Sequence, residues 1–164
     1  MRSLLLLLVM LTGLAWAETY ADPTLGVKLD YPSHWEVIPQ GSYPLALKYP
    51  GKIVDLNTEH VRLEVQQLSG NGGLDMVAEM SRHMIESSFP NLKLVESKAV
   101  AFGNLPNSHR FRFEGTHMGR SLVIVDLLGM KSNKSYELCM MATAENYKKQ
   151  ISYFDKMAAS LKAD

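Results

Sequence analysis

Apolar and polar residues alternate along several stretches of the chain, which is the pattern of a half-buried β-strand. In GVKLDYP, Val27 and Leu29 alternate with Lys28 and Asp30, and Pro32 ends the stretch. In VRLEVQQL, the same alternation places Val61, Leu63 and Val65 on one face and Arg62, Glu64 and Gln66 on the other. Because successive side chains of a strand point to opposite faces, both segments are predicted to be strands with one face in the core.

The second half of the chain contains longer strand-like segments that are joined by short turns. The segments are LKLVESKAVAF, SHRFRFEG, RSLVIVDLLGM and SYELCMMAT, and the turns between the last three are THMG and KSNK, with NLPN before them. Connections this short join antiparallel neighbours, since parallel strands need a long crossover. The pattern therefore predicts an antiparallel sheet.

Two segments have helical spacing instead. LDMVAEMSRHMIESSF places Val77, Met80, Met84 and Ile85 at helical intervals, and Pro90 ends the pattern. This spacing predicts a helix that packs on the sheet through that stripe. The second helix is predicted in ENYKKQISYFDKMAASL, with Thr143 as its N-cap. Its apolar stripe comprises Tyr147, Ile151, Phe154, Ala158 and Leu161.

Together these elements predict an α+β fold: an antiparallel β-sheet of about six to seven strands packed with two main helices. Residues 1–17, MRSLLLLLVMLTGLAWA, are interpreted as a signal peptide, because Arg2 precedes an apolar run and AWA matches a cleavage pattern. That run is shorter than the roughly 20 apolar residues of a membrane span. We expect one domain over residues 18–164, exported to the periplasm, with no cysteine near the cleavage point to carry a lipid.

Charge and cysteine content narrow the function classes. The chain has 17 basic and 17 acidic residues among 164, so it lacks the positive field that nucleic-acid binding requires. Cys139 is its only cysteine, which excludes an intramolecular disulfide. Because Cys139 lies in the apolar run YELCMMAT, we expect a buried and unreactive thiol.

Few residues have the spacing of a chemical site. The histidines His34, His60, His83, His109 and His117 are scattered singly, unlike the ligands of a zinc site. SGNGG, before the first helix, can bind an anion or serve as a flexible connection, and Asp55 and Glu59 form a carboxylate pair in a predicted loop. No nucleophile elbow or phosphate-binding loop is present. The sequence predicts no catalytic residues, no cofactor and no enzyme.

The first helix offers one metal-binding alternative. Met76, Met80 and Met84 recur every fourth residue, with His83 beside the last. Thioethers on one helical face can bind Cu(I), whereas methionines that pack on the sheet would be ordinary core residues. Burial of all three side chains would exclude the copper alternative. The overlap with Val77 and Ile85 favours the core.

The strand SLVIVDLL is apolar on both of its faces, which is typical of a strand buried on both sides. If both helices cover one face of the sheet, either the amino-terminal segment covers the other face, or that face exposes an apolar strip. In the second case the strip is a surface for a protein partner. The candidate partner-binding residues are Arg110, Arg112, Leu122 and Ile124.

Three features together resemble the PsbP-like superfamily, which includes the DcrB-like bacterial periplasmic proteins. They are the opening G-V-x-L-x-Y-P-x-x-W, a meander of strands around one helix, and the ending SYELCMMATAENYKKQISYFDKMAASLK. The resemblance covers roughly residues 20–162. It implies an α/β/α sandwich and a non-enzymatic binding or assembly module of the periplasm or the thylakoid lumen.

Three functional hypotheses follow from the sequence. The first is an exported, non-enzymatic module that acts through a protein partner. The second is a carrier of a small ligand or a metal, with Met76, Met80, Met84 and His83 as the copper site. The third is an uncharacterised hydrolase.

Overall fold

A computed structural model describes residues 17–39, 43–50, 59–69 and 72–164 of the chain. The predicted signal peptide, apart from Ala17, lies outside the described residues. So do Asp55 and the middle of SGNGG.

Ten strands and two helices make up the described structure. The bounds are β1 (Ala17–Asp22), β2 (Val27–Pro32), β3 (Glu36–Val37), β4 (Leu45–Lys48), β5 (His60–Gln67), α1 (Leu74–Ser88), β6 (Leu92–Ala99), β7 (Asn107–His117), β8 (Arg120–Lys131), β9 (Lys134–Thr143), α2 (Ala144–Ser160) and β10 (Lys162–Ala163). Seven strands form one sheet in the order β3-β4-β5-β9-β8-β7-β6, and β1, β2 and β10 form a smaller one. Every pairing is antiparallel. The predicted α+β class and strand number are confirmed.

The small sheet contains two strands that the sequence analysis did not predict. β1 begins at Ala17, within the segment interpreted as the signal peptide, and pairs with β2 along its length. β10 is two residues long and pairs with the start of β2. Neither strand has a clear alternation of apolar residues, because β1 lies mostly at the surface and β10 is very short.

The helices lie on opposite faces of the large sheet. On one face, α2 and the small sheet cover a core that includes Leu63, Val125 and Phe154. On the other face, α1 covers a second core that includes Ile124 and Phe113. The prediction that β8 is buried on both sides is therefore confirmed. The premise that both helices cover one face is wrong, because α1 covers the second face.

The position of α1 also corrects its predicted contact stripe. Its fully buried residues are Ala78, Ser81 and Ile85, whereas Met80 and Met84 are exposed. The buried positions still follow helical spacing, but they include a serine that hydrogen-bonds to the sheet. Hydrophobicity alone favours methionine over serine for burial. The predicted contact stripe is therefore rotated around the helix axis relative to the buried one.

The carboxyl-terminal helix follows its prediction closely. The Thr143 side chain accepts a hydrogen bond from the Asn146 amide at 3.3 Å, as an N-cap does. Phe154, Ala158 and Leu161 are buried against the larger core. Neither described helix combines the length and apolar character that crossing a membrane requires.

The stretch GVKLDYPSHWEVIP contains the predicted strand, β2, and a turn that follows it. Trp35 is buried, and its amide donates a hydrogen bond to the Pro32 carbonyl across the turn. His34 is exposed in that turn, and its ring lies 5.1 Å from the ring of Tyr153 on α2. The turn packs against α2 through the contacts of His34 and Trp35 with Tyr153.

Candidate binding groove

A groove of about 660 Å³ runs between α1 and the neighbouring parts of β5 and β9. We call it the methionine groove. Its lining includes Met76, Met80 and Met84 on α1, Glu64 and Gln66 on β5, and Glu137 on β9.

The three methionines of the groove are exposed rather than buried. Their exposed fractions are 49% for Met76, 64% for Met80 and 52% for Met84. Because these side chains lie outside the core, the burial that would have excluded the copper alternative is not observed. His83 also lines the groove and is exposed, with its ring nitrogens 3.9 Å and 3.7 Å from carboxylates of Glu79 and Glu86.

Beneath the groove lies a row of polar residues in the sheet. Asp126 on β8 is directly opposite Cys139 on β9, which in turn is opposite Arg62 on β5. The Ser81 hydroxyl of α1 donates a hydrogen bond to Asp126 Oδ2 at 2.6 Å. Arg62 Nη2 lies 3.3 Å from Glu137 Oε1. These contacts connect α1, β8, β9 and β5 under a partly apolar groove.

The two carboxyl groups of this row, Asp126 and Glu137, lie close together in the interior, where burial disfavours their charged forms. Burial, and then the negative charge of Glu137, raise the pKa of Asp126 well above its usual range. Burial also raises the pKa of Glu137, although Arg62 lowers it. Asp126 Oδ1 is buried without a hydrogen-bond partner, and one oxygen of Asp126 lies within 4.8 Å of one oxygen of Glu137. Donation of a proton from a neutral Asp126 to the Glu137 carboxylate would satisfy both groups, as buried polar atoms require.

The same row contains three side chains that could bind a metal ion. One oxygen each of Asp126 and Glu137 and the Sγ of Cys139 lie within 4.8 Å of one another. Burial raises the pKa of the Cys139 thiol well above its usual range, so a metal would have to displace protons from Asp126 and Cys139. Arg62 already supplies the positive charge. The row is therefore better described as a buried network of hydrogen-bonded and ion-paired side chains, and the predicted burial of Cys139 is confirmed.

The predicted partner-binding residues do not form one surface. Leu122 and Ile124 are buried beneath α1, so they cannot contact a partner. Arg110 and Arg112 lie on the other face, beside α2. Arg110 Nη1 is 3.0 Å from the carboxylate of Asp155, and Arg112 donates to the Tyr147 hydroxyl at 3.3 Å. The exposed apolar strip is absent because α1 occupies its place.

One contact bears on the hydrolase hypothesis. Ser97 Oγ lies 2.9 Å from His109 Nε2 at the exposed edge formed by β6 and β7. A nucleophilic serine needs a histidine that a third group orients. Among the described residues, no carboxylate forms an ion pair with His109, so this contact has only two of the three parts.

The sequence analysis missed the groove because its parts are far apart in the chain. Ser81 and Asp126 are 45 positions apart, and Arg62 and Glu137 are 75 apart. One signal was present in the sequence. Asp126 is a lone carboxylate in SLVIVDLL, a strand predicted to be buried on both faces, and a buried carboxyl requires a specific partner.

The described architecture, a seven-stranded antiparallel sheet with one helix on each face, is the PsbP-like fold. Solved structures with this arrangement cover most of the chain. One is LpqN, involved in cell envelope biogenesis of Mycobacterium tuberculosis, with a TM-score of 0.69, 13% identity, and coverage of 89% of each chain. The solution structure of the cyanobacterial PsbP (CyanoP) from Synechocystis sp. PCC 6803 has a TM-score of 0.64 and 12% identity, and covers 93% of this chain and 95% of that one.

A third similar structure is PA94, a protein of unknown function from Pseudomonas aeruginosa. Its TM-score is 0.56 at 11% identity, and the match covers 90% of this chain and 97% of that one. No protein-family model and no curated protein matches the sequence. The resemblance to the PsbP-like superfamily is thus confirmed in the fold.

Proposed function

We propose that this chain is an exported, non-enzymatic binding module that holds a protein partner in the methionine groove. The observation that carries the proposal is the exposure of Met76, Met80 and Met84 along one side of a groove. Clustered exposed apolar side chains in a monomeric protein mark interaction sites. Methionine is flexible and polarizable, so it adapts to the shape of an apolar partner.

Two further observations support the same proposal. The segment MRSLLLLLVMLTGLAWA has the features of a secretory signal, and LpqN, which has the same fold, is described as involved in cell envelope biogenesis. The buried thiol of Cys139 and the incomplete Ser97–His109 contact argue against a nucleophilic enzyme. A binding role needs neither group.

The proposal is tested by affinity capture from periplasmic extract of the native host, with the mature chain as bait. The comparison uses Met80→Lys, which places a charge in the groove, and Met118→Lys as a matched control. Met118 is 81% exposed but lies in the turn between β7 and β8. We expect a partner that binds the unchanged chain and Met118→Lys, and that Met80→Lys loses.

Two results would contradict this proposal. One is capture that both lysine variants retain equally, which would place the partner elsewhere. The other is a stoichiometric small ligand on the mature chain in native mass spectrometry, with no protein captured.

Export is measured separately. We propose that the mature chain begins at Glu18, so the intact mass of the periplasmic protein should lack residues 1–17. A full-length chain in the cytoplasmic fraction would contradict this part of the proposal.

A Cu(I) carrier is the second candidate, because the three thioethers and His83 are exposed on one helix. Soft thioethers favour Cu(I). Titration of the mature chain against a chromogenic Cu(I) chelator tests this candidate, with Met80→Leu and Met118→Leu as the paired variants. Equal affinity of Cu(I) for both variants would exclude the groove as the copper site. A lack of Cu(I) binding by the variants and by the unchanged chain would exclude it as well.

A further inference from the structure

We propose that the partner segment which binds the methionine groove is amphipathic and basic, and that its lysine or arginine pairs with Glu64. The inference rests on the proposed function, and it adds the chemistry of the partner. It comes from the charges at the bottom of the groove rather than from the methionines.

The groove contains a like-charged pair that the chain does not fully neutralise. Glu64 on β5 lies directly opposite Glu137 on β9, and the charge of Glu64 raises the pKa of Glu137. Like charges opposite each other on neighbouring strands are destabilising. Arg62 pairs with Glu137, but no described lysine or arginine forms an ion pair with Glu64. The Glu64 carboxylate accepts a hydrogen bond only from the neutral Gln66 amide among the contacts of the described residues.

The described lining of the groove offers Glu64 no lysine or arginine as a partner. None of the described lining residues is a lysine or an arginine. Glu64 is half-buried, so its charge is less screened by solvent than that of a fully exposed carboxylate. A cationic side chain of a partner would relieve the repulsion between Glu64 and Glu137, and no lysine or arginine among the described lining residues would repel it.

The shape of the groove defines the other half of the partner. From Met76 to Met84, α1 advances about 12 Å, which is slightly more than two helical turns. A short segment with apolar side chains along one side can cover this length and place a longer basic side chain over Glu64. Helices that bind such grooves do so through apolar anchors at helical spacing.

The inference is tested by nuclear magnetic resonance on the mature chain with ¹³C-labelled methionine methyl groups. The probes are two amidated peptides of about three helical turns, with leucines on one face. One peptide carries a single central lysine, and the other carries glutamine at that position. The variants are Glu64→Gln and, as a charge-matched control, Glu145→Gln on the exposed side of α2.

We expect the lysine peptide to shift the methyl signals of Met76, Met80 and Met84 but not that of Met118. Glu64→Gln should weaken this binding about tenfold, the scale of one hydrogen-bonded charge, and Glu145→Gln should leave it unchanged. The glutamine peptide should bind the unchanged chain and Glu64→Gln equally. Glu64→Gln should keep its thermal stability, since it removes a repulsion.

Equal affinity of the two peptides for the unchanged chain would overturn the inference. Lysine-peptide affinity that Glu64→Gln does not alter would overturn it as well, and in both cases shifts at the groove methyls would leave the groove itself supported. If neither peptide shifts those methyl signals, the proposal of a basic partner is wrong. The capture experiment with Met80→Lys then decides the proposed function independently.

Discussion

The two helices that cover the large sheet differ in their N-caps and in the size of the side chains that they bury. The α2 face has a capped helix of 17 residues and a core in which Phe154 and Met157 are fully buried. The α1 face has a helix of 15 residues whose N-cap, Gly73, makes no side-chain hydrogen bond. Its buried positions include the small residues Ala78 and Ser81. Both faces have a buried core, but on the α1 face the helix also leaves three methionines in solvent.

The two faces therefore contribute differently to the stability of the fold. Burial of a large apolar side chain stabilises the fold by roughly 1.5–3 kcal/mol, and most such side chains lie on the α2 face or in the sheet. The α1 face combines a smaller core with a polar row and three exposed methionines. A helix with this composition retains a free surface, which a partner can cover.

The largest expected contrast is between two methionines that undergo the same substitution. Met157→Ala on α2 should lower the free energy of unfolding by about 3 kcal/mol, because it leaves a cavity in the core. Met80→Ala on α1 should change it by about 0.5 kcal/mol or less, because that side chain is mostly exposed. Urea unfolding of both variants measures the difference. A cost of Met80→Ala near that of Met157→Ala would place Met80 in the core.

The second contrast concerns pH. Folded Asp126 has a raised pKa, so the folded state keeps a proton that the unfolded state releases above about pH 4. Stability from this group is therefore complete below that pH and falls as the pH rises towards the folded-state pKa. The slope reaches about 1.4 kcal/mol per pH unit for one proton.

Asp126→Asn should flatten this slope, because the amide cannot ionise and can still accept from Ser81. Urea unfolding from pH 5 to pH 8 measures the effect. Asp155→Asn, at an exposed carboxylate on α2, is the control and should keep the original slope. An unchanged slope in Asp126→Asn would contradict the raised pKa of Asp126.

The third contrast compares two serines on the helices. Ser81→Ala removes the hydroxyl that donates to Asp126 and should cost about 1–2 kcal/mol, since the buried oxygen loses its partner. Ser152→Ala on the exposed side of α2 should change stability by less than about 0.5 kcal/mol. Thermal unfolding of both variants tests this. Equal effects would mean that the Ser81 hydrogen bond contributes nothing.

The smallest expected effects are at the helix starts. Thr143→Ala should cost about 1 kcal/mol, because α2 loses its N-cap. Gly73→Ser should stabilise α1 by about 0.3 kcal/mol, since a Cβ at Gly73 meets no atom within 4 Å and its φ is −86°. Calorimetry resolves both changes. A destabilised Gly73→Ser would show that glycine is required at that position.

Local pattern was sufficient to predict most of the fold. The alternation in β5 and the two-sided apolar character of β8 follow directly from burial, and the α2 stripe follows from helical spacing. The orientation of α1 could not be predicted in this way, because Ser81 is buried by its hydrogen bond to Asp126 and not by its hydrophobicity. The strands β1 and β10 depend on pairing with β2 and have little pattern of their own.

The candidate site was predicted only in part. Met76, Met80 and Met84 were identified from their spacing, but their exposure depends on how α1 is rotated on the sheet. Glu64 and Glu137 meet because β5 and β9 pair across a long sequence separation. No local pattern in either strand indicates that contact, so the acidic side of the groove became visible only in the folded chain.

The central claim is that the methionine groove binds a partner, and site-specific photocrosslinking tests it most directly. A photoreactive phenylalanine analogue replaces Met80 in one strain and Met118 in another, and intact cells of the native host are irradiated. We predict a protein adduct of defined mass from position 80 and no such adduct from position 118. An adduct from position 118 with none from position 80 would contradict the claim.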